Sequence, residues 1–217
     1  MIKRIIFDID NTLIDWKAEY WDCLKNVFDE LNLPYSSETK AKIQHAVDNY
    51  EDGTNFTYTK ESMMNAIEEE LGYKLPESFF DIWIRYLGMC VPEKADDDVV
   101  YTLQYLKQKY DLVVLSNWFK KSQEERLKRL GLNKYFSATY MTENIPMKPN
   151  KEAFEIAKGQ YDFSECVMVG DSLKTDVSGA VNANMNVIFY DRNNIKINSN
   201  EHIMATIRKF TELTDIL

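Results

Sequence analysis

Glycine is scarce in this chain, seven residues in 217, and the scarcity excludes two common ways of holding a phosphate. No pair of glycines has the spacing of a Walker loop, and no two open a dinucleotide fingerprint. Cysteine is scarcer still. Cys23, Cys90 and Cys166 are odd in number, far apart and in no metal-ligand spacing, which predicts free buried thiols in a reducing cytoplasm. None has an arginine six residues later, where Asp29, Asp96 and Ser172 stand, so the thiolate phosphatase loop is missing too. The two histidines, His45 and His202, adjoin no other motif and read as surface or cap residues rather than catalysts.

Long apolar runs are absent as well. The first, Ile5-Ile6-Phe7, is cut by Asp8 too early for a signal peptide, and no stretch approaches a membrane-spanning length. Charge leans one way: 26 Lys and Arg against 35 Asp and Glu leave a net −9. Such a chain lacks the basic patch with which a protein neutralises nucleic-acid phosphates, so no nucleic-acid polymer and no membrane is expected as a partner. Any phosphorylated substrate must instead meet local positive charge, from a metal or a placed lysine. With 45% hydrophobic and 28% charged residues, the composition is that of a soluble globular protein with one large domain, or a domain carrying an insertion.

What is present has a clear order. Ile2–Phe7 reads as a short apolar strand. Four amphipathic stretches follow, roughly Trp16–Leu33, Ser37–Tyr50, Thr59–Leu71 and Pro76–Gly88, punctuated as helices by Pro34, Gly53 and Pro76. Beyond Val91-Pro92 the pattern alternates. Helices are predicted over Val99–Tyr110, Lys120–Leu130, Asn150–Lys158 and Thr175–Asn182. Strands are predicted over Leu112–Leu115, Ser137–Tyr140, Cys166–Val169 and Val187–Tyr190, with a further strand and a last helical turn in the tail from His202. Alternation of this kind gives parallel βαβ units, hence a three-layer α/β, Rossmann-like core. The expected division is a core of residues 1–14 and 92–217, with an inserted all-helical cap over residues 15–91.

In such sheets ligands bind outside the carboxyl ends of the strands. Asp8 follows the first strand, Ser116 another and Asp171 another, while Lys148 lies just before a helix. Two acids one residue apart, in FDIDNTLID, repel each other unless a cation or ligand compensates. A carboxylate can attack phosphorus and split hydrolysis into two easier steps. Mg²⁺ suits a carboxylate site that binds a phosphate, and removes the repulsion between two anions. A lysine with hydroxyl or amide donors stabilises the transferring group. Asp8, Asp10, Asp171, Lys148 and Ser116 supply all of these parts.

Four segments in order, DIDNT at Asp8, LSN at Ser116, MKPNKEAF at Lys148 and GDSLKTD at Asp171, resemble the motifs of the haloacid dehalogenase-like hydrolase superfamily across the whole chain. The resemblance implies Asp8 as nucleophile and metal ligand, and Asp10 as acid and then base, its backbone carbonyl on Mg²⁺. It implies Thr12 as a loop-positioning and phosphate-binding residue, and Ser116 and Asn117 as holders of the phosphoryl oxygens. Lys148 would neutralise Asp8 and the phosphate, Asp171 would complete the metal site, and Asp176 would stand behind it or hold Lys148. Members that cleave carbon–halogen bonds lack an acid at the place of Asp10, because halide leaves without a proton. The resemblance therefore implies a cytoplasmic, Mg²⁺-dependent phosphatase acting on a small-molecule phosphate ester.

Two alternatives stay open. The phosphomutase branch keeps both acids but usually carries a Thr-x-x-Gly-Arg-like signature in the cap, absent here. A non-catalytic phosphate-ligand-binding module on a retained fold is the other. DNTLID with a helical insert resembles the branch of nucleotide phosphatases and sialic acid phosphate phosphatases, so a nucleoside monophosphate or sugar phosphate is the expected substrate. Trp16, Tyr20, Asn55 and Tyr58 are pocket candidates, or else they pack the cap's own core. Trp118 either stacks on a base or sugar or covers the sheet edge.

Overall fold

The computed structural model describes residues 1–52, 57–195 and 200–217. Among the described residues six strands form one sheet in the order β3-β2-β1-β4-β5-β6, every neighbouring pair parallel. They are β1 (Arg4–Phe7), β2 (Asp111–Ser116), β3 (Ala138–Met141), β4 (Cys166–Gly170), β5 (Asn186–Tyr190) and β6 (Ile203–Ile207). The chain runs outward from β1 to β2 and β3, then returns to β4 on the other side of β1. That reversal opens a crevice at the carboxyl ends of β1 and β4, where open α/β sheets bind ligands.

Strand periodicity decides the two faces. Ile5 and Phe7 point to one side with Val114, Val169 and Ile188, covered by Leu103, Leu127 and Phe210. Ile6 points to the other with Val113, Met168 and Val187, covered by Phe154, Ala157 and Ala180. The covering helices are α5 (Asp97–Leu106), α6 (Lys120–Arg129), α7 (Lys151–Lys158), α8 (Ser178–Asn182) and α9 (Leu213–Ile216). With both faces buried, the strands read as continuous apolar runs.

Between β1 and β2 come α1 (Cys23–Glu30), α2 (Ser37–Asp52), α3 (Lys60–Leu71) and α4 (Phe79–Leu87). Thr59 caps α3 by accepting from Ser62 N at 3.1 Å, and Gly72, at φ 80°, ends it in the left-handed conformation. Their apolar faces meet in a core of their own around Phe28, Val47, Ile67, Phe79 and Trp83. Phe119 and Met147, from the loops at the sheet's edge, complete it.

Three elements differ from the sequence expectation. The stretch from Trp16 is divided, a 3₁₀ turn over Ala18–Asp22 leading into α1. Pro76 opens a turn, with Phe79 N donating to its carbonyl at 2.8 Å, and the helix starts at Phe79. The helix expected from Thr175 begins as a wide π-type turn over Leu173–Val177. There Asp176 N and Val177 N both donate to Ser172 O, and the turn carries the Asp176 side chain fully inside. Asn55 lies outside the described residues.

Candidate active site

β1 ends by delivering Asp8, whose N–H still pairs with Val169 O at 3.0 Å. The chain then doubles back. Asn11 takes a left-handed φ of 57°, a conformation asparagine tolerates, and Ile14 N closes on Ile9 O at 2.9 Å. Asp8 and Asp10 thus stand together at the sheet's edge.

Lys148 reaches this edge from the segment before α7 and is 2% exposed. Its ammonium donates to Asp8 Oδ1 at 2.7 Å, Asp176 Oδ1 at 2.6 Å and Leu115 O at 3.0 Å. Three donors meet three acceptors, so the cation is saturated and fixed. Asn117 holds the same segment by its backbone, accepting from Lys148 N at 2.8 Å and donating to Lys148 O at 2.9 Å. Burial disfavours the Lys148 charge, but Asp176 and Asp8 outweigh it and raise its pKa.

Oxygens of Asp8, Asp171 and Asp176 lie within 4.8 Å of one another. Burial raises the Asp8 carboxyl to about 8, against the pull of Lys148 and with a further push from Asp176 and Asp10. Burial and then Asp176 raise Asp171 to about 6. Three clustered acids facing one ammonium leave room for two positive charges, and the donors are hard oxygens, so the set fits a divalent cation such as Mg²⁺. Asp176 has least to offer it, since Oδ1 takes Lys148 and Oδ2 accepts from Ser172 N at 3.1 Å. Gly170 makes this possible: a Cβ there would stand 2.2 Å from Asp176 Oδ2.

Asp10 is held from α6. Gln123 Nε2 donates to its Oδ2 at 2.7 Å and Arg126 Nη1 to its Oδ1 at 2.6 Å. Sequence reasoning missed both residues. A signal was there: Phe119, Gln123, Arg126, Leu127 and Leu130 form one helical stripe, and two polar residues interrupt its apolar face.

The cavity above these groups measures about 510 Å³. Asp8, Asp10, Ser116, Asn117, Lys148, Asp171 and Asp176 line its floor, and Trp16 and Trp118 its sides. Trp118 packs edge-on against Tyr58 and Trp83, at 5.5 and 6.0 Å between ring centres, so it covers the helical core while also lining the cavity. Tyr58, also in the wall, is buried and donates to Glu51 at 2.6 Å. Two expected residues are elsewhere. Thr12 is buried, outside the cavity, its hydroxyl 3.5 Å from Asp171 Oδ1. Tyr20 packs on Trp16 at 5.4 Å between ring centres and does not line the cavity. His45 lies exposed on α2, and all three cysteines are free.

The chain matches the family model for haloacid dehalogenase-like hydrolases over residues 2–184. It is similar to the crystal structure of Bacillus subtilis YfnB bound to magnesium, with 26% identity, a TM-score of 0.72, and 99% of this chain and 98% of that one covered. Among curated proteins it is 28% identical to the pyrimidine 5'-nucleotidase YjjG of Escherichia coli, over 83% of this chain and 82% of that one. It is 25% identical to the N-acylneuraminate-9-phosphatase of Homo sapiens, over 89% and 84% respectively. Among the described residues no helix is long and apolar enough to cross a membrane.

Proposed function

The chain belongs to the haloacid dehalogenase-like hydrolases, and from that premise we propose that it is a Mg²⁺-dependent phosphatase of small phosphorylated metabolites, working through an aspartyl phosphate on Asp8. The observation that carries this reading is the 2.7 Å contact between Lys148 and Asp8 at the cavity floor, with Asp10 two residues further on. An anionic nucleophile is held by a fixed cation, beside a second carboxylate free of that cation.

Asp8 attacks phosphorus while Asp10 gives a proton to the leaving oxygen; Asp10 then takes a proton from the water that hydrolyses the acyl phosphate. Ser116 meets the phosphoryl oxygens, while Lys148, its three donors already engaged, neutralises charge on Asp8 and the phosphate. Asn117, its amide engaged with Lys148, acts by positioning that segment. Asp8, Asp171 and the Asp10 carbonyl would hold Mg²⁺, which supplies charge neutralisation between carboxylate and ester. Residues 15–91 act as a cap on the core formed by residues 1–14 and 92–217, and its closure excludes water. Free thiols suit a reducing cytoplasm as the working compartment.

The cap wall narrows the substrate. Its charged residues lining the cavity, among those described, are Asp48, Glu51 and Asp52, all acids. A wall of that sign favours neutral, hydroxylated leaving groups, a nucleoside or an uncharged sugar, over those carrying a carboxylate.

The test is phosphate release from a panel of nucleoside monophosphates and sugar phosphates, with Mg²⁺ and with chelator, beside Asp8→Asn. Metal-dependent release abolished in the variant is the expected result. No release from any ester, aryl phosphate included, overturns the reading.

A further inference from the structure

Building on the phosphatase reading, we propose that Gln123 and Arg126 are positioning residues that clamp the Asp10 carboxylate in the orientation it needs as proton donor to the leaving oxygen. One donor meets each oxygen, Gln123 Nε2 at 2.7 Å and Arg126 Nη1 at 2.6 Å, so the carboxylate cannot turn about its terminal bond. The clamp is itself braced. Arg126 Nη1 also donates to Gln123 Oε1 at 2.7 Å, and Gln123 Nε2 also to Ser116 Oγ at 3.1 Å. This network fixes the amide's orientation, because a flipped Gln123 would set its oxygen against the Asp10 carboxylate. With Ser116 Oγ receiving that donor, its own proton is left for a phosphoryl oxygen.

Burial argues against a purely structural role. Gln123 is fully buried and Arg126 2% exposed, yet the acid they serve keeps 32% of its side chain open on the cavity. A buried ion pair is weak as a source of stability, since apolar side chains on the same stripe would pack there without desolvating charge. Arg126 also leaves Nη2 without an acceptor among the described residues, which a finished structural pair would not. Its remaining contacts reach the segments on either side of the helical block: Nε donates to Cys90 O at 3.2 Å, and the guanidinium lies 5.3 Å from the Trp16 ring centre. Cys90 follows α4 and Trp16 follows the β1 loop, so the clamp touches both connections through which cap and core are joined. Cap posture and acid orientation are thereby linked through one side chain.

The experiment compares two esters. A nucleoside 5'-monophosphate leaves as an alkoxide and needs its proton; 4-nitrophenyl phosphate leaves as a stable phenolate and does not. General acid catalysis typically contributes 10²–10⁴-fold, so Arg126→Met should lower kcat/KM at least about tenfold further for the alkyl ester than for the aryl ester. Arg126→Lys, which keeps charge and bulk without the fork, should show the same split in a fold checked by thermal unfolding. On an Asp10→Asn background the Arg126 substitutions should cost nothing more on the alkyl ester. Equal losses on both esters, or a further loss on that background, overturn the clamp and leave the phosphatase standing. A wild-type protein that cleaves neither these two esters nor any sugar phosphate overturns both.

Discussion

Lys148 Nζ sits between Asp8 Oδ1 and Asp176 Oδ1, 2.7 and 2.6 Å away, with all three side chains buried. Neither acid is tolerable there without the cation, and the cation is not tolerable without them. Removing one partner of a buried pair leaves uncompensated charge, a loss of about 3–5 kcal/mol. Lys148→Met should therefore destabilise the metal-free protein by roughly that amount in urea unfolding and abolish phosphate release. Lys148→Arg should fold better but remain slow, because a planar fork does not reproduce the ammonium's three-way contact. A Lys148→Met protein as stable as the parent would refute this account of the pair.

On the proposed reading, protons and Mg²⁺ would compete for the same oxygens. Asp8 and Asp171, raised from 3.8 to about 8 and about 6, bind protons more tightly folded than unfolded. That preference stabilises the metal-free fold fully below the unfolded value, and it is lost as pH climbs through about 6 and about 8. Metal-free Tm should thus fall between about pH 5 and about pH 9, while the rise in Tm on adding Mg²⁺ grows over the same interval. A Mg²⁺-induced shift in Tm that does not vary with pH would contradict it.

That the acids gather at one edge was legible because strand ends are marked by apolar runs stopping at polar residues, as at Phe7-Asp8 and Gly170-Asp171. Lys148 follows no strand directly and was placed by its position just before a helix. The alternation after Val91 likewise gave the parallel sheet now seen as β2 to β6. Arg126 was not legible in the same way. It belongs to KKSQEERLKR, where charged residues dominate, and only its place on the stripe running from Phe119 to Leu130 marks it as turned inward. Thr12 lies outside the cavity for another reason: it follows the left-handed Asn11, and after such a turn side-chain direction no longer follows the strand's period of two.

Charge on the wall that α2 gives the cavity should be readable in substrate preference. Glu51→Gln retains an acceptor for the Tyr58 hydroxyl, which now donates at 2.6 Å, while deleting one negative charge. At partly screened separations one charge amounts to on the order of 1 kcal/mol. The variant should gain about fivefold in kcat/KM on a sugar phosphate bearing a carboxylate, relative to a neutral sugar phosphate. Asp48→Asn should act in the same direction. Parallel changes on both substrates would show that these acids do not face the leaving group.

Two glycines separate local strain from a steric requirement of the site. Gly72 has φ 80° and nothing within 4 Å of an added Cβ, so Gly72→Ala should cost only about 1–2 kcal/mol of left-handed strain and leave phosphate release unchanged. Gly170 has no such strain, but an added Cβ would meet Asp176 at 2.2 Å from Oδ2 and 2.7 Å from its Cβ. Asp176 is fully buried and cannot swing into solvent. Gly170→Ala must then push it off Lys148, and overpacking of this kind costs about 1–3 kcal/mol. The expected signature is comparable destabilisation in the two variants, with turnover lost only in Gly170→Ala. Full activity in that variant would mean that Asp176 does not govern where Lys148 sits.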